Sequence, residues 1–166
     1  MKYFSRLFML PTLALFAFTS CDSDDDVPAN QVPLSYKTAL NALYPDAAKV
    51  EWERDGGYYV ADFTRIGYDY DVWFGNEAAW AMTSIDYGRS MSELPEAVTS
   101  AFAASGYVPG VTVDEVKEYQ RPAGIFYIIE VESDNDGKET NLFYSPDGTL
   151  LRSTTADVDI RPDFSI

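Results

Sequence analysis

Between residues 32 and 45 the apolar side chains recur at helical spacing: Tyr36, Ala39, Leu40 and Leu43 share one face, and Pro45 ends the run. Residues 94–106 read the same way, with Pro95 near the first helical position, Val98, Ala101 and Phe102 on one face, and Gly106 as the stop. Each helical stretch is followed by four segments in which polar and apolar residues alternate. In the first half these are Lys49–Arg54, Tyr58–Ile66, Tyr68–Gly75 and Ala79–Tyr87. In the second they are Thr112–Gln120, Ile125–Glu132, Glu139–Tyr144 and Thr149–Asp157. Turn-forming residues such as Asp55-Gly56-Gly57, Gly67 and Ser145-Pro146-Asp147-Gly148 lie between them.

Connections this short join antiparallel neighbours, because a parallel pair needs a long crossover. The pattern therefore predicts an α+β fold: a tandem repeat of a short helix followed by a four-stranded antiparallel meander, with the helices packed on one sheet face. The two units, residues 34–88 and 92–157, share a larger sheet or form two abutting ones. Landmarks keep a nearly constant offset between them: 68 positions from Phe63 to Val131, 70 from Phe74 to Tyr144, 71 from Asp86 to Asp157. Neither unit of ~55 residues buries much surface alone, so residues 34–160 are expected to be one cooperative domain, with 158–166 as a C-terminal tail.

The start of the chain has a different character. Lys2 and Arg6 precede an apolar run from Leu7 to Phe18, and Thr19-Ser20 lead into Cys21, the layout of a secretory signal. The run is too short for a membrane-spanning helix, which needs ~20 residues. Cys21 directly after Ser20 resembles a lipobox, with Phe18 where that motif usually carries Leu. The resemblance implies cleavage after residue 20, a lipid on Cys21 and membrane contact only through that lipid. An ordinary secreted protein is the competing reading. Residues 21–33 lack periodicity and are expected to be a disordered acidic tether. Within it, Asp22, Ser23, Asp24, Asp25 and Asp26 resemble the export signal of surface lipoproteins in Bacteroidetes-type bacteria, which implies an outer-membrane lipoprotein facing outward. A plain spacer, with the domain facing the periplasm, is the alternative.

Composition narrows the chemistry. The chain has 166 residues, no His and one Cys. A Ser-His-Asp triad, a Cys-His dyad and a His-ligated metal are thereby excluded. Twelve Lys+Arg against 27 Asp+Glu give a net charge of −15, which argues against nucleic acid as a partner. Loss of residues 1–20 would remove two cations, Lys2 and Arg6, and no acidic residue, so the mature chain is still more acidic. No Gly-x-Ser-x-Gly elbow, Ser-x-x-Lys pair or Gly-rich phosphate loop occurs. No catalytic residue, metal ligand or cofactor is assigned.

The Pro-led helix Leu94-Pro95-Glu96-Ala97-Val98, and the strands ending in Phe143-Tyr144-Ser145-Pro146-Asp147-Gly148-Thr149-Leu150-Leu151, resemble the PepSY-like family related to beta-lactamase-inhibitor protein. The likeness spans nearly all of residues 34–157. It implies the tandem helix-plus-meander fold and a binding or inhibitory tendency, and it brings no catalytic residues. In the first unit Phe74-Gly75-Asn76-Glu77-Ala78-Ala79-Trp80 replaces the Asp-Gly turn, so that hairpin departs from the family pattern.

Alternation in the third strand sets Tyr68, Tyr70, Val72 and Phe74 on one face and Asp69, Asp71 and Trp73 on the other. The apolar face must pack on the helix. Asp69, Asp71 and Trp73, with Asp62 from the neighbouring strand, are therefore the expected binding face, Trp73 being a solvent-side aromatic anchor among carboxylates. The opposing reading packs Trp73 against the other unit or a loop, because Trp is buried more often than exposed. The run Glu132-Ser133-Asp134-Asn135-Asp136-Gly137 begins like a calcium loop, but its twelfth position is Phe143 instead of a bidentate Glu. Turn formation accounts for it more simply. Three functional classes remain: a non-catalytic envelope lipoprotein that binds an envelope or extracellular protein or peptide, with inhibition as one mode; a structural or accessory lipoprotein without a discrete ligand; and, behind both, a carboxylate-based hydrolase or calcium-dependent binder.

Overall fold

The computed structural model describes residues 25–166. One antiparallel sheet of nine strands runs through it in sequence order, β1 to β9. They are β1 (Asp25–Asp26), β2 (Glu51–Asp55), β3 (Tyr58–Arg65), β4 (Tyr68–Phe74), β5 (Trp80–Asp86), β6 (Val111–Arg121), β7 (Gly124–Ser133), β8 (Glu139–Tyr144) and β9 (Leu150–Thr154). Helix α1 (Leu34–Leu43) precedes β2, and α2 (Glu96–Ala103) lies in the connection from β5 to β6. Of the two arrangements left open, the structure adopts the single sheet, because β5 pairs directly with β6. The fold is α+β.

Both helices cover the same face. Leu40 of α1 joins Trp52, Phe63, Tyr70, Val72, Phe74 and Ile85 in one core, and Val98 and Phe102 of α2 join Val116, Tyr127, Ile129, Leu142 and Tyr144 in another. Ile85 lies opposite Glu118, two residues from Val116, so the two cores abut on one side of the sheet. The polar side chains between them are satisfied. Glu118, 9% exposed, accepts from the Tyr87 hydroxyl at 2.8 Å and from the Gln120 amide at 2.7 Å. Buried Thr83 accepts from the Trp80 indole N–H at 3.0 Å and from the Tyr44 hydroxyl at 3.3 Å. Helix α1 stops at Leu43 because Pro45 pushes Tyr44 out of helical geometry, to φ −133° and ψ 75°.

The two hairpins singled out in the sequence are shaped differently. Between β8 and β9, Gly148 has φ +84°, and a Cβ there would stand 2.4 Å from the Ala97 carbonyl oxygen of α2. Only glycine fits. Between β4 and β5 the chain makes a single 3-10 turn, Asn76–Ala78, with Glu77 and Ala78 at positive φ and a register shift at Trp73/Phe74.

One expectation about the ends needs correction. Residues 25–33 are not the disordered tether expected of them: Asp25–Asp26 pair with Glu53 and Arg54 as an edge strand. The Val27 amide then donates to the Trp52 carbonyl at 2.7 Å, and Val32 is 3% exposed in the first core. Pairing with the outer edge of β2 and packing of Val27 and Val32 on the first core together tie this segment down. Cys21, Asp22, Ser23 and Asp24 of the expected tether, like the signal peptide at 1–20, lie outside the described residues. At the other end, Val158, Ile160 and Phe164 of the tail pack against the sheet.

Candidate functional site

The site is the sheet face away from the helices, where register decides which side chains meet. Val60, Asp62 and Thr64 of β3 stand opposite Trp73, Asp71 and Asp69 of β4. These in turn face Met82, Ser84 and Asp86 of β5, and Ser84 and Asp86 face Tyr119 and Lys117 of β6. Across β7 and β8 the series continues through Phe126, Ile128, Glu130, Phe143 and Asn141. The face thus divides diagonally into an apolar part and an acidic part.

The apolar part holds Val60, Trp73, Met82, Tyr119, Phe126, Ile128 and Phe143, all buried. Trp73 lies on the expected face but is not the solvent-side anchor that the sequence suggested. It is 8% exposed, within a cluster that draws on both halves of the chain and that Val158, Ile160 and Phe164 pack against. So much apolar surface cannot face water uncovered, and the C-terminal segment covers it.

The acidic part holds Asp62, Asp69 and Asp71 together with Glu51, Asp86, Glu115, Glu130, Glu132 and Glu139. Five cross-strand pairs set carboxylate directly opposite carboxylate: Glu51–Asp62, Asp62–Asp71, Asp69–Asp86, Glu115–Glu130 and Glu132–Glu139. Such pairs destabilise a sheet. Some relief comes from Lys117, 2.7 Å from Glu115 and 3.7 Å from Asp86, and from hydroxyls: Ser84 donates to Asp71 and Thr64 to Asp69, each at 3.0 Å.

Protonation responds to this crowding. Burial, opposed by the Ser84 hydrogen bond and by Lys117 but reinforced by Asp62 and Asp69, pushes the Asp71 carboxyl up to about 6. Asp62 is raised by burial first and then by Asp69 and Glu51, although its side chain is largely exposed. Glu130 is raised by burial and then by Glu115, Glu139 and Asp114. What this surface can do chemically is receive positive charge: a Lys or Arg laid across it gains several partners and ends their mutual repulsion.

Neither calcium reading gains from the geometry. In the 132–137 turn, Asp136 accepts from the Lys138 amide at 3.3 Å, Asp134 accepts from the Thr112 hydroxyl at 3.0 Å, and Gly137 has φ +67°. The Asp136 contact and the Gly137 geometry belong to the turn, and the Asp134 contact ties it to Thr112 of β6. Asp114, Glu130 and Glu139 do bring their carboxylate oxygens within 4.8 Å of one another, a meeting that no sequence spacing announced. Asp114 is already paired with Arg89, so a cation there would have to compete with that guanidinium.

Alternation in β5 to β7 carries much of the acidic part, but only pairing brings Asp86 opposite Asp69 and Glu115 opposite Glu130. The C-terminal cover also left a signal, since Val158 and Ile160 flank Asp159 in strand-like alternation. Among the described residues no helix is long and apolar enough to cross a membrane.

The profile of a protein family described as "Putative beta-lactamase-inhibitor-like, PepSY-like" matches residues 19–69 and 57–152. Among solved structures, a DUF2874 family protein from Bacteroides uniformis is 37% identical, with a TM-score of 0.68 over 74% of this chain and 88% of its own. A protein from Bacteroides eggerthii, described as "putative periplasmic", is 38% identical, with a TM-score of 0.67 over the same shares of the two chains, 74% and 88%. A BLIP-like protein from Bacteroides fragilis is 34% identical, with a TM-score of 0.70 over 81% of this chain and 93% of its own. No curated protein matches.

Proposed function

We propose, since the chain belongs to the PepSY-like, beta-lactamase-inhibitor-like family, that it is a non-catalytic module which binds an envelope or extracellular protein or peptide through the helix-free face of its sheet. The observation that supports this best is the ladder of five like-charge cross-strand pairs beside an apolar cluster. A sheet that carries such repulsion on one face is stabilised by a partner presenting cations, and a partner's affinity gains what the free protein lacks. The partner surface is therefore basic, and inhibition of a bound enzyme is one form this binding takes. The two helix-plus-four-strand halves are read as tandem copies of one unit.

The same proposal holds the domain at the outer membrane through a lipid on Cys21, with Asp22, Ser23 and Asp24 together with Asp25 and Asp26 directing it outward. Cys21→Ala moves the protein from the membrane to the soluble envelope fraction if this is right, and leaves it in the membrane if it is wrong. For the binding face, Asp62 and Asp69 are exposed, so charge reversal there spares the core. Capture of a saturating partner by the tethered protein is lost in Asp62→Lys/Asp69→Lys and kept in Glu96→Lys, on helix α2. Equal capture by both variants refutes the assignment of the face.

A further inference from the structure

The apolar part of the helix-free face already has an occupant, residues 158–166, and the way this segment sits describes what the face accepts. Val158, Ile160 and Phe164 pack on the apolar cluster. The Phe164 ring stacks on Phe143 with centroids 5.9 Å apart, and its carbonyl accepts from Arg121 Nη1 at 2.6 Å. Arg161 reaches Asp55 at 3.0 Å, at the β2–β3 turn. The contacts form a pattern: an aliphatic residue, a basic residue next to it, and an aromatic three positions further on.

Two observations say that this occupant is loosely held and imperfectly matched. Its one backbone–backbone hydrogen bond among the described residues is internal, from the Phe164 amide to the Arg161 carbonyl, so the segment adds no strand to the sheet. Beneath and beside it, the buried Trp73 indole N–H and the Arg121 Nε have no hydrogen-bond partner. A segment that brought acceptors to these donors would sit better than the resident one. A groove of ≈ 550 Å³ between residues 162–166 and the β6–β7 turn, lined by Arg121 and Ala81 among others, leaves space beside Phe164 for such a segment.

We infer that residues 158–166 are a resident, displaceable stand-in for a partner's peptide, and that the surface beneath them docks a segment carrying an aliphatic–basic–x–x–aromatic pattern with a turn between its basic and aromatic residues. This rests on the reading of the helix-free face as the binding face. It adds the partner's local chemistry and makes the C-terminal segment a competitor that any partner must displace. Being tethered within a few residues of its site, the segment competes at an effective concentration of roughly millimolar, which keeps weak ligands off.

The test needs no knowledge of the natural partner. A fluorescent synthetic peptide spanning residues 157–166 is titrated into the full chain and into the full chain carrying Ile160→Ala and Phe164→Ala, with circular dichroism as the check on folding. The double variant should bind the peptide at least about tenfold more tightly than the wild type, and a peptide with Phe164→Ala should lose that binding. A second variant ending at Asp157 should behave like the double variant. Equal binding by the wild type and both variants overturns the inference, as does equal binding of the two peptides. Partner capture is scored separately through Asp62 and Asp69, so failure of the peptide experiment with capture still sensitive to those residues refutes the stand-in and leaves the binding face standing.

Discussion

Replacing Asp71 by Asn probes the acidic ladder where it is most strained. Asp71 is half-buried, faces Asp62 across the β3–β4 pair, and has its carboxyl raised from 3.8 to about 6 by burial and neighbouring charge. In the folded chain it therefore keeps its proton to a higher pH than in the unfolded chain. Between about pH 4 and about pH 6 the native state binds more protons, so this group's contribution to stability falls as pH rises through that window and is lowest above it. At 1.36 kcal/mol per unit the full shift corresponds to about 3 kcal/mol, and because part of the side chain meets solvent a net effect of about 1–3 kcal/mol is expected. Asn keeps the shape and can still accept the Ser84 hydroxyl that now lies 3.0 Å from Asp71, but it cannot ionise. Urea unfolding of wild type and Asp71→Asn at a series of pH values measures the difference, in which the other titrating groups largely cancel. The variant should be about 1–3 kcal/mol more stable at about pH 8, with the advantage shrinking below pH 6 and gone near pH 4. A pH-independent difference, or a variant less stable than wild type at pH 8, refutes the view that burying this carboxylate beside its acidic neighbours strains the fold.

Further outcomes follow from the same geometry. Above pH 7, raising ionic strength from about 0.02 M to about 0.5 M should raise the melting temperature, because screening relieves repulsion among the like-charge pairs; a fall would mean that attractive ion pairs dominate. Lys117→Met removes a cation that lowers the Asp71 pKa, so the Asp71 carboxyl, followed by NMR, should titrate at higher pH than in wild type. Gly148→Ala and Gly67→Ala both place a Cβ at strongly positive φ, but only the first meets a backbone atom, the Ala97 oxygen. The Gly148 variant should accordingly lose at least about 1 kcal/mol more than the Gly67 variant in thermal or urea unfolding, and equal losses would show that the helix moves away at no cost.

How much of this was written in the residues differs from element to element. Both helices and eight strands followed from period and punctuation, since Pro45, Pro95, Gly67 and Gly148 act locally. Strand alternation alone also groups Asp62, Asp69 and Asp71 on one face, the one that lies away from the helices. What alternation cannot supply is the neighbour across the strand. Asp62 meets Asp71, and Asp69 meets Asp86, only after turn geometry has set the register. Trp73 illustrates the same limit from the other side: its face was legible, but its burial depends on residues about 90 positions later, Val158 and Phe164, folding back over the cluster. Asp25 and Asp26 read as part of a solvated charge run because composition carries no information about the open edge of β2.

The claim on which the rest depends is that partners dock on the helix-free face. A photo-reactive amino acid placed at Thr64, which is exposed on that face, and in a second protein at Ser100 on helix α2, tests it directly in envelope preparations. The account predicts a discrete crosslinked species from position 64 that is absent from position 100 and is lost when Asp62→Lys/Asp69→Lys is added. A crosslink from position 100 alone, or one from position 64 that survives the charge reversal, contradicts it.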